Sequence, residues 1–268
     1  MPYMPEKIID THIHFSNGGE VLDSFIKAYK KFSVERIWMF GKKSKHDEFL
    51  KEAARYPDFI RPFPTFDLDK EQPETVDELR KNGAWGLKFI CPLKNYDDDS
   101  YMPVYERMAA HKMAAYFHTG IIGGNRDKPA PGVSTARMQP VYLDTIARSF
   151  RDLTVIGAHL GNPWFEVAIE IMRYSSNLYF DICGSTLKAK MTTEWFHRIL
   201  HDEKLWNQLL FATDLSDAVA TWDDMDLNLH HSIATHRSFI MAYNLPKELW
   251  PAYFHDNAVI IEEKIAPK

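Results

Sequence analysis

The stretch Lys7-Ile8-Ile9-Asp10-Thr11-His12-Ile13-His14 decides how this chain is read. An apolar run ends in two histidines spaced two apart. Side chains on a strand alternate faces, so both imidazoles point the same way and can reach one cation. Later apolar runs end in further groups that hold metals or protons: Lys88, His118, His159 and Asp214.

The intervals carry the fold. A closed barrel of eight strand-helix units uses about 30 residues per unit. Here 76 residues separate His12 from Lys88, 30 separate Lys88 from His118, 41 lead to His159 and 55 to Asp214. Those steps correspond to three units, one, one long unit and two, which places the endings on strands one, four, five, six and eight. Catalytic groups of such barrels sit where strands end, so the five endings are expected at one mouth. Strands are expected over 7–13, 34–40, 59–66, 84–90, 114–118, 153–158, 178–183 and 209–213, short and apolar on both faces as parallel strands are. Helical periodicity is read over 20–32, 45–56, 73–82, 103–112, 140–150, 163–174, about 193–200 and about 233–242. The fold class is α/β, a (β/α)8 TIM barrel forming a single domain over 1–268. A doubly wound open sheet would scatter the endings along an edge.

Composition fits this reading. The 268 residues are 45% hydrophobic, with 7 Trp and 17 Phe to build a core. A formal charge of −5 gives no general attraction to nucleic acid or an anionic membrane, so the expected partner is a small-molecule substrate. Cys91 and Cys183 lie in apolar runs and are read as free thiols of a reducing compartment. No stretch approaches the roughly 18 apolar residues of a spanning helix, and a cytoplasmic location is expected.

Two connections are long, Gly120 to Gln139 and Leu215 to about Ser232, and both are expected to rise over the mouth. Arg126, Lys128 and Arg137 in the first would suit a substrate carboxylate, or simply a solvated basic loop. Trp85, Phe15 and Trp164 would wall a pocket, although most barrel aromatics are core. His46, His111, His197 and His201 fall in helical stretches and are read as surface residues. His230, His231 and His236 have no readable register.

As chemistry, His12, His14 and Asp214 would hold a divalent cation, with His118 as a further ligand; Asp214 would also take a proton from attacking water. His159 is either a second ligand or a general acid and base. Each feature has a bland counterpart. A buried His is usually satisfied by backbone, Asp214 is a fair helix N-cap, and Lys88 is a plausible structural lysine paired with a carboxylate.

In order along the chain, Ile8-Ile9-Asp10-Thr11-His12-Ile13-His14, Gly86-Leu87-Lys88-Phe89, Phe117-His118-Thr119-Gly120, Ala158-His159-Leu160-Gly161, Tyr179-Phe180-Asp181, Phe211-Ala212-Thr213-Asp214 and His255-Asp256-Asn257-Ala258 resemble the successive motifs of the amidohydrolase superfamily. The resemblance is to the amidohydrolase-related branch that contains aminocarboxymuconate-semialdehyde decarboxylase. It implies a distorted (β/α)8 barrel, a metal on His12, His14 and Asp214, commonly with His118, and a catalytic His159. One divalent ion is expected, zinc before manganese, with two ions bridged by a carboxylated Lys88 as the alternative. Relatives are often dimers or larger, so a homo-oligomer is an open expectation. The branch holds both hydrolases and non-oxidative decarboxylases. The intact His-Ile-His pair leans to hydrolysis of a small ester, lactone or amide, with a carboxy-lyase acting on a small, aromatic or other, carboxylic acid as the alternative. Metal-dependent deoxyribonucleases share the first motif but usually carry a glutamate near the end of strand four, where this chain has Gly86-Leu87-Lys88. A metal-binding scaffold would tolerate replacement of His159.

Overall fold

A computed structural model describes residues 5–16, 19, 21–123, 129–184, 202–217, 222–242 and 244–267. Ten strands run in chain order: β1 (Ile8–His14), β2 (Val34–Phe40), β3 (Ile60–Phe63), β4 (Thr65–Phe66), β5 (Gly86–Phe89), β6 (Ala114–Phe117), β7 (Thr154–Gly157), β8 (Leu178–Ile182), β9 (Leu209–Phe211) and β10 (Leu215–Ser216). Every pairing is parallel, in the orders β10-β1-β2-β3 and β4-β5-β6-β7-β8-β9.

The two sheets are arcs of one ring. β3 and β4 are a single stave interrupted at Pro64, which has no N–H for the ladder, and the stave changes partner there from β2 to β5. β9 and β10 form another: β9 pairs with β8, then β10 pairs with β1. Asp214 lies in that second interruption, its N–H donating to His12 O at 3.0 Å. Counted in staves this is the expected eightfold TIM barrel.

Helices cover the outside because each has one apolar stripe. In Leu22–Lys30, for example, Leu22, Phe25, Ile26 and Tyr29 are buried while Lys27 and Lys30 face water. The expected strands all form, one or two residues shorter at most ends. The late helix differs more. It spans Trp222–Ala242, so the connection after the eighth stave is shorter than a loop running to Ser232. The expected helix over 193–200 lies outside the described residues.

The barrel interior is filled by Ile9, Trp38, Phe40, Phe63, Tyr116 and Ile156 among others. Trp38 stacks on Phe63 at 5.3 Å, and Phe40 meets Tyr116 edge-on at 4.8 Å. Gly86 makes room for this packing, since a Cβ there would lie 2.3 Å from the Phe63 ring and 2.4 Å from Ala114 O. Among the described residues no helix is long and apolar enough to cross a membrane.

Candidate metal centre

Ile9 and His12 are three residues apart, yet both meet the interior: Ile9 belongs to the inner cluster, and the His12 ring sits 4.7 Å from Phe40. Strict alternation would put them on opposite faces. The register of β1 against β2 shifts between Asp10 and Ile13, a bulge that resets the phase and turns His12 and His14 inward together.

The three atoms that the pair and Asp214 present form a near-equilateral triangle. His12 Nε2 is 3.2 Å from His14 Nε2, His14 Nε2 is 3.1 Å from Asp214 Oδ1, and His12 Nε2 is 3.3 Å from the same oxygen. Tetrahedral zinc with bonds of about 2.0–2.2 Å holds its ligand atoms roughly 3.3–3.6 Å apart, so the triangle is close to a coordination face. The donor set fits for a second reason. His12 Nδ1 donates to Asp181 Oδ2 at 2.8 Å, and burial, with Lys88 next, pushes the His12 pKa well down. In the neutral ring that leaves Nε2 as a bare lone pair facing a carboxylate, an arrangement a shared cation relieves. Burial alone would raise the Asp214 carboxyl, but the hydrogen bond from His14 and the polar surroundings of the site hold it well below the ordinary carboxylate range. Since His12 is buried and neutral, we take Asp214 as the charged member and the hydrogen bond from His14 as its direct support.

His118 follows β6 and is 8% exposed. Its ring hydrogen-bonds the Ile121 backbone, its pKa is pushed well down by burial and then by His159, and its Nε2 is buried without a hydrogen-bond partner among the described residues. It lines the same cavity as the triangle and supplies a free donor atom there. Lys88 points inward from β5. Its Nζ, also unpartnered among the described residues, sits 4.3 Å from the Phe40 ring centre and 4.4 Å from that of Tyr116. Burial lowers its pKa to about 8, against the pull of Asp181, Cys183 and Asp214.

His159 follows β7 in a left-handed conformation, φ 57°, as does Leu160 at 45°. Cys91, Gly120, Gly184 and Asp214 also have positive φ and also follow staves at this mouth. Such conformations concentrate where structure is held for function. The His159 ring lies 4.8 Å from that of His118 and 5.1 Å from that of His12, and Cys183 Sγ is 3.1 Å from His159 Nδ1. His12, His159, Cys183 and Asp214 present ligand atoms all within 4.8 Å of one another. That set overlaps the triangle at His12 and Asp214. It differs in that Cys183 and His12 Nδ1 are already engaged with Asp181, whereas the three atoms of the triangle face one another.

The cavity above these groups measures about 340 Å³ and is walled by His14, Ile90, His118, Ile121, Asn162 and Gly184 among others. A larger one, about 810 Å³, opens at the opposite end of the barrel between Arg80, His111, Arg151 and Lys264 and touches none of the site residues.

Other expectations land elsewhere. Trp85 precedes β5, packs under the Arg61 guanidinium at 4.4 Å and so sits at the far end; Phe15 packs on Phe49 at 5.4 Å. Among the described residues, isoleucines and not Phe, Tyr or Trp form the apolar wall. Arg137 donates Nη1 to Gly132 O at 2.8 Å, bracing its own loop. Arg126 and Lys128 lie outside the described residues, as do His197 and His201. His236 is fully buried, bonded to Tyr253 Oη at 2.7 Å, while His230 and His231 are exposed on the same helix. His46 is part-buried rather than superficial, paired with Glu71 at 2.8 Å.

Asp181 and Cys183 were not singled out as site residues from sequence. They share the two-apart spacing of the histidine pair at the end of the seventh stave, and a carboxylate inside an all-apolar parallel strand is a signal in itself. A second buried carboxylate, Asp10, holds the first and eighth staves together: its Oδ1 accepts from Thr213 N at 3.0 Å and its Oδ2 from Thr213 Oγ1 at 2.6 Å, directly before Asp214.

The sequence profile of the amidohydrolase family matches residues 27–259. This chain belongs to that family. The matched span of the amidohydrolase includes Lys88, His118, His159, Asp181 and Asp214 but begins after β1, so the place of His12 and His14 rests on the geometry above. No curated protein matches the amidohydrolase sequence. Among solved structures, an uncharacterized TIM-barrel protein from Bordetella bronchiseptica is similar with a TM-score of 0.72 at 14% identity, over 97% of this chain and 99% of that one. Amidohydrolase 2 from Bifidobacterium longum subsp. infantis gives 0.55 at 14%, over 90% and 99%. An amidohydrolase from Mycobacterium avium subsp. paratuberculosis gives 0.52 at 12%, over 90% and 73%. At these identities the likeness shows the barrel fold.

Proposed function

We propose that this amidohydrolase is a single-metal hydrolase of the branch related to aminocarboxymuconate-semialdehyde decarboxylase, acting on a small ester, lactone or amide. The observation that carries it is the triangle of His12 Nε2, His14 Nε2 and Asp214 Oδ1, with sides of 3.1–3.3 Å, at the floor of a cavity. These residues would hold a divalent ion, zinc before manganese given the nitrogen-rich set, with His118 Nε2 as a fourth donor. The ion supplies Lewis-acid activation of a substrate carbonyl and of water.

The chain's own side chains do the rest. Asp214, ionised at neutral pH, accepts the proton from water attacking the carbonyl. Its Oδ2 lies on the His159 side: the Cβ position of Gly184 is 3.7 Å from Oδ2 and 3.2 Å from His159 Nδ1, and glycine leaves that corner open. His159, with Nδ1 against Cys183, offers Nε2 to substrate and protonates the leaving group. Ile90, Ile121 and Ile122 make one wall of the cavity apolar. Lys88 is assigned as a buried amine beside the site, with a carboxylated, two-ion form as the alternative.

The test is elemental analysis of purified protein followed by a substrate screen in isotopically labelled water. One ion per chain and label in the product support the reading. Carbon dioxide release from a carboxylic acid without label incorporation would replace it with a carboxy-lyase, and two ions lost together on Lys88→Ala would replace the single-metal site.

A further inference from the structure

Asp181 has a complete set of partners, and they belong to both halves of the proposed chemistry. Its Oδ2 accepts from His12 Nδ1 at 2.8 Å and from the Tyr116 hydroxyl; its Oδ1 accepts from the His159 backbone N–H at 2.7 Å and from Cys183 Sγ at 2.9 Å. The residue is fully buried. A carboxylate offers about four acceptor sites and no donor, so every one of them is used. No other side chain of the same size does this. Asparagine keeps one acceptor oxygen and turns an NH2 toward two donors.

We infer that Asp181 is a positioning residue that sets the tautomer of His12 and the backbone turn of His159 together. The inference rests on the single-metal reading for its link to catalysis, but its structural content does not. By accepting from Nδ1, Asp181 keeps the proton off Nε2, the atom in the triangle. A metal-ligating histidine whose other nitrogen donates to a carboxylate has its ring orientation and basicity fixed by that carboxylate. Through Oδ1 the same group anchors His159 N–H, where the chain enters the left-handed pair His159-Leu160 at φ 57° and 45°. Cys183, two residues on along the same face, then closes on His159 Nδ1. The aromatic pocket of Phe40 and Tyr116 around His12, at 4.7 and 5.6 Å, fills the space a rotated imidazole would need.

The test begins on metal-free protein, with long-range proton-nitrogen NMR assigning the His12 tautomer in the wild type, Asp181→Asn and Cys183→Ser. The expected result is an Nδ1–H ring in the wild type and in Cys183→Ser, and an Nε2–H ring in Asp181→Asn. Zinc affinity, measured by chelator competition, is expected to fall about 10- to 100-fold in Asp181→Asn, the usual loss for a group behind a metal ligand, and to hold in Cys183→Ser. If Asp181→Asn does not fold, Tyr116→Phe replaces it: one competing donor leaves Oδ2, so zinc affinity holds or rises, where a purely structural role predicts a fall. An unchanged tautomer and zinc affinity in Asp181→Asn, or weakened zinc in Tyr116→Phe, overturns the inference. A tautomer switch in protein that binds no zinc in any form would instead leave this inference standing and remove the single-metal reading.

Discussion

Lys88 offers the sharpest test of how this barrel balances stability against its site. The side chain is 2% exposed, and burial brings its pKa down from the ordinary lysine value of 10.5 to about 8. The charged form is therefore disfavoured in the folded state. At pH below about 8 the amine is protonated in both folded and unfolded chains, and the penalty is full. The gap of 10.5 to 8 at ~1.4 kcal/mol per pKa unit gives roughly 3 kcal/mol. Contacts with the faces of Phe40 and Tyr116 offset about 0.5–2 kcal/mol of this. Lys88→Met keeps the length of the side chain and removes the charge, so metal-free Lys88→Met is expected to be more stable than the wild type by about 1–3 kcal/mol at pH 7. The sign with pH follows from proton counting. Between pH 8 and 10.5 the unfolded chain holds the proton that the folded chain has lost, so this group's contribution to wild-type stability rises through that window. The advantage of the methionine variant should therefore shrink towards pH 10. Urea denaturation of both proteins at pH 7 and pH 10 measures it. A variant less stable than the wild type at pH 7, or an advantage that does not narrow by pH 10, would refute the reasoning. Turnover of the stabilised variant, assayed with metal restored, shows whether the buried amine is retained for chemistry.

His12→Ala and Asp214→Ala should lose metal and activity together, whereas His159→Ala should keep the metal and lose about 10²- to 10⁴-fold in kcat; elemental analysis beside kinetics decides. Loss of metal from His159→Ala would make that residue a ligand. Thr213→Val removes a buried 2.6 Å bond to Asp10 and should destabilise the fold by about 1–3 kcal/mol in denaturant titration, with weaker metal binding because Asp214 is the next residue. Gly86→Ala drives a methyl group to within 2.4 Å of Ala114 O and onto the Phe63 ring, and should cost about 1–3 kcal/mol by the same titration; a neutral result would mean that β5 can shift.

Much of the site was legible because its residues end strands whose period is visible. His12 and His14 share a face by the two-residue repeat, and Lys88, His118, His159 and Asp214 follow at intervals a barrel unit imposes. What failed to show has particular causes. Parallel strands buried on both faces have no polar alternation, so nothing in Leu178–Ile182 says which way Asp181 points. The β1 bulge is a register shift against β2, invisible in β1 alone. Residue type leaves Arg137 open between a substrate carboxylate and a solvated loop, and only the structure puts its guanidinium on Gly132 O. The early start of the helix at Trp222 was hidden by polar residues that serve equally in loops and first turns.

By itself the sequence determined the alternation of strand and helix and which candidate donor side chains stand at strand ends, because these depend on local periodicity and side-chain chemistry. Only the tertiary structure decided that His14 Nε2 and Asp214 Oδ1, 200 residues apart, lie 3.1 Å from one another, and that one buried carboxylate serves both His12 and His159. Ring closure fixes those distances, and closure is a property of all the staves together.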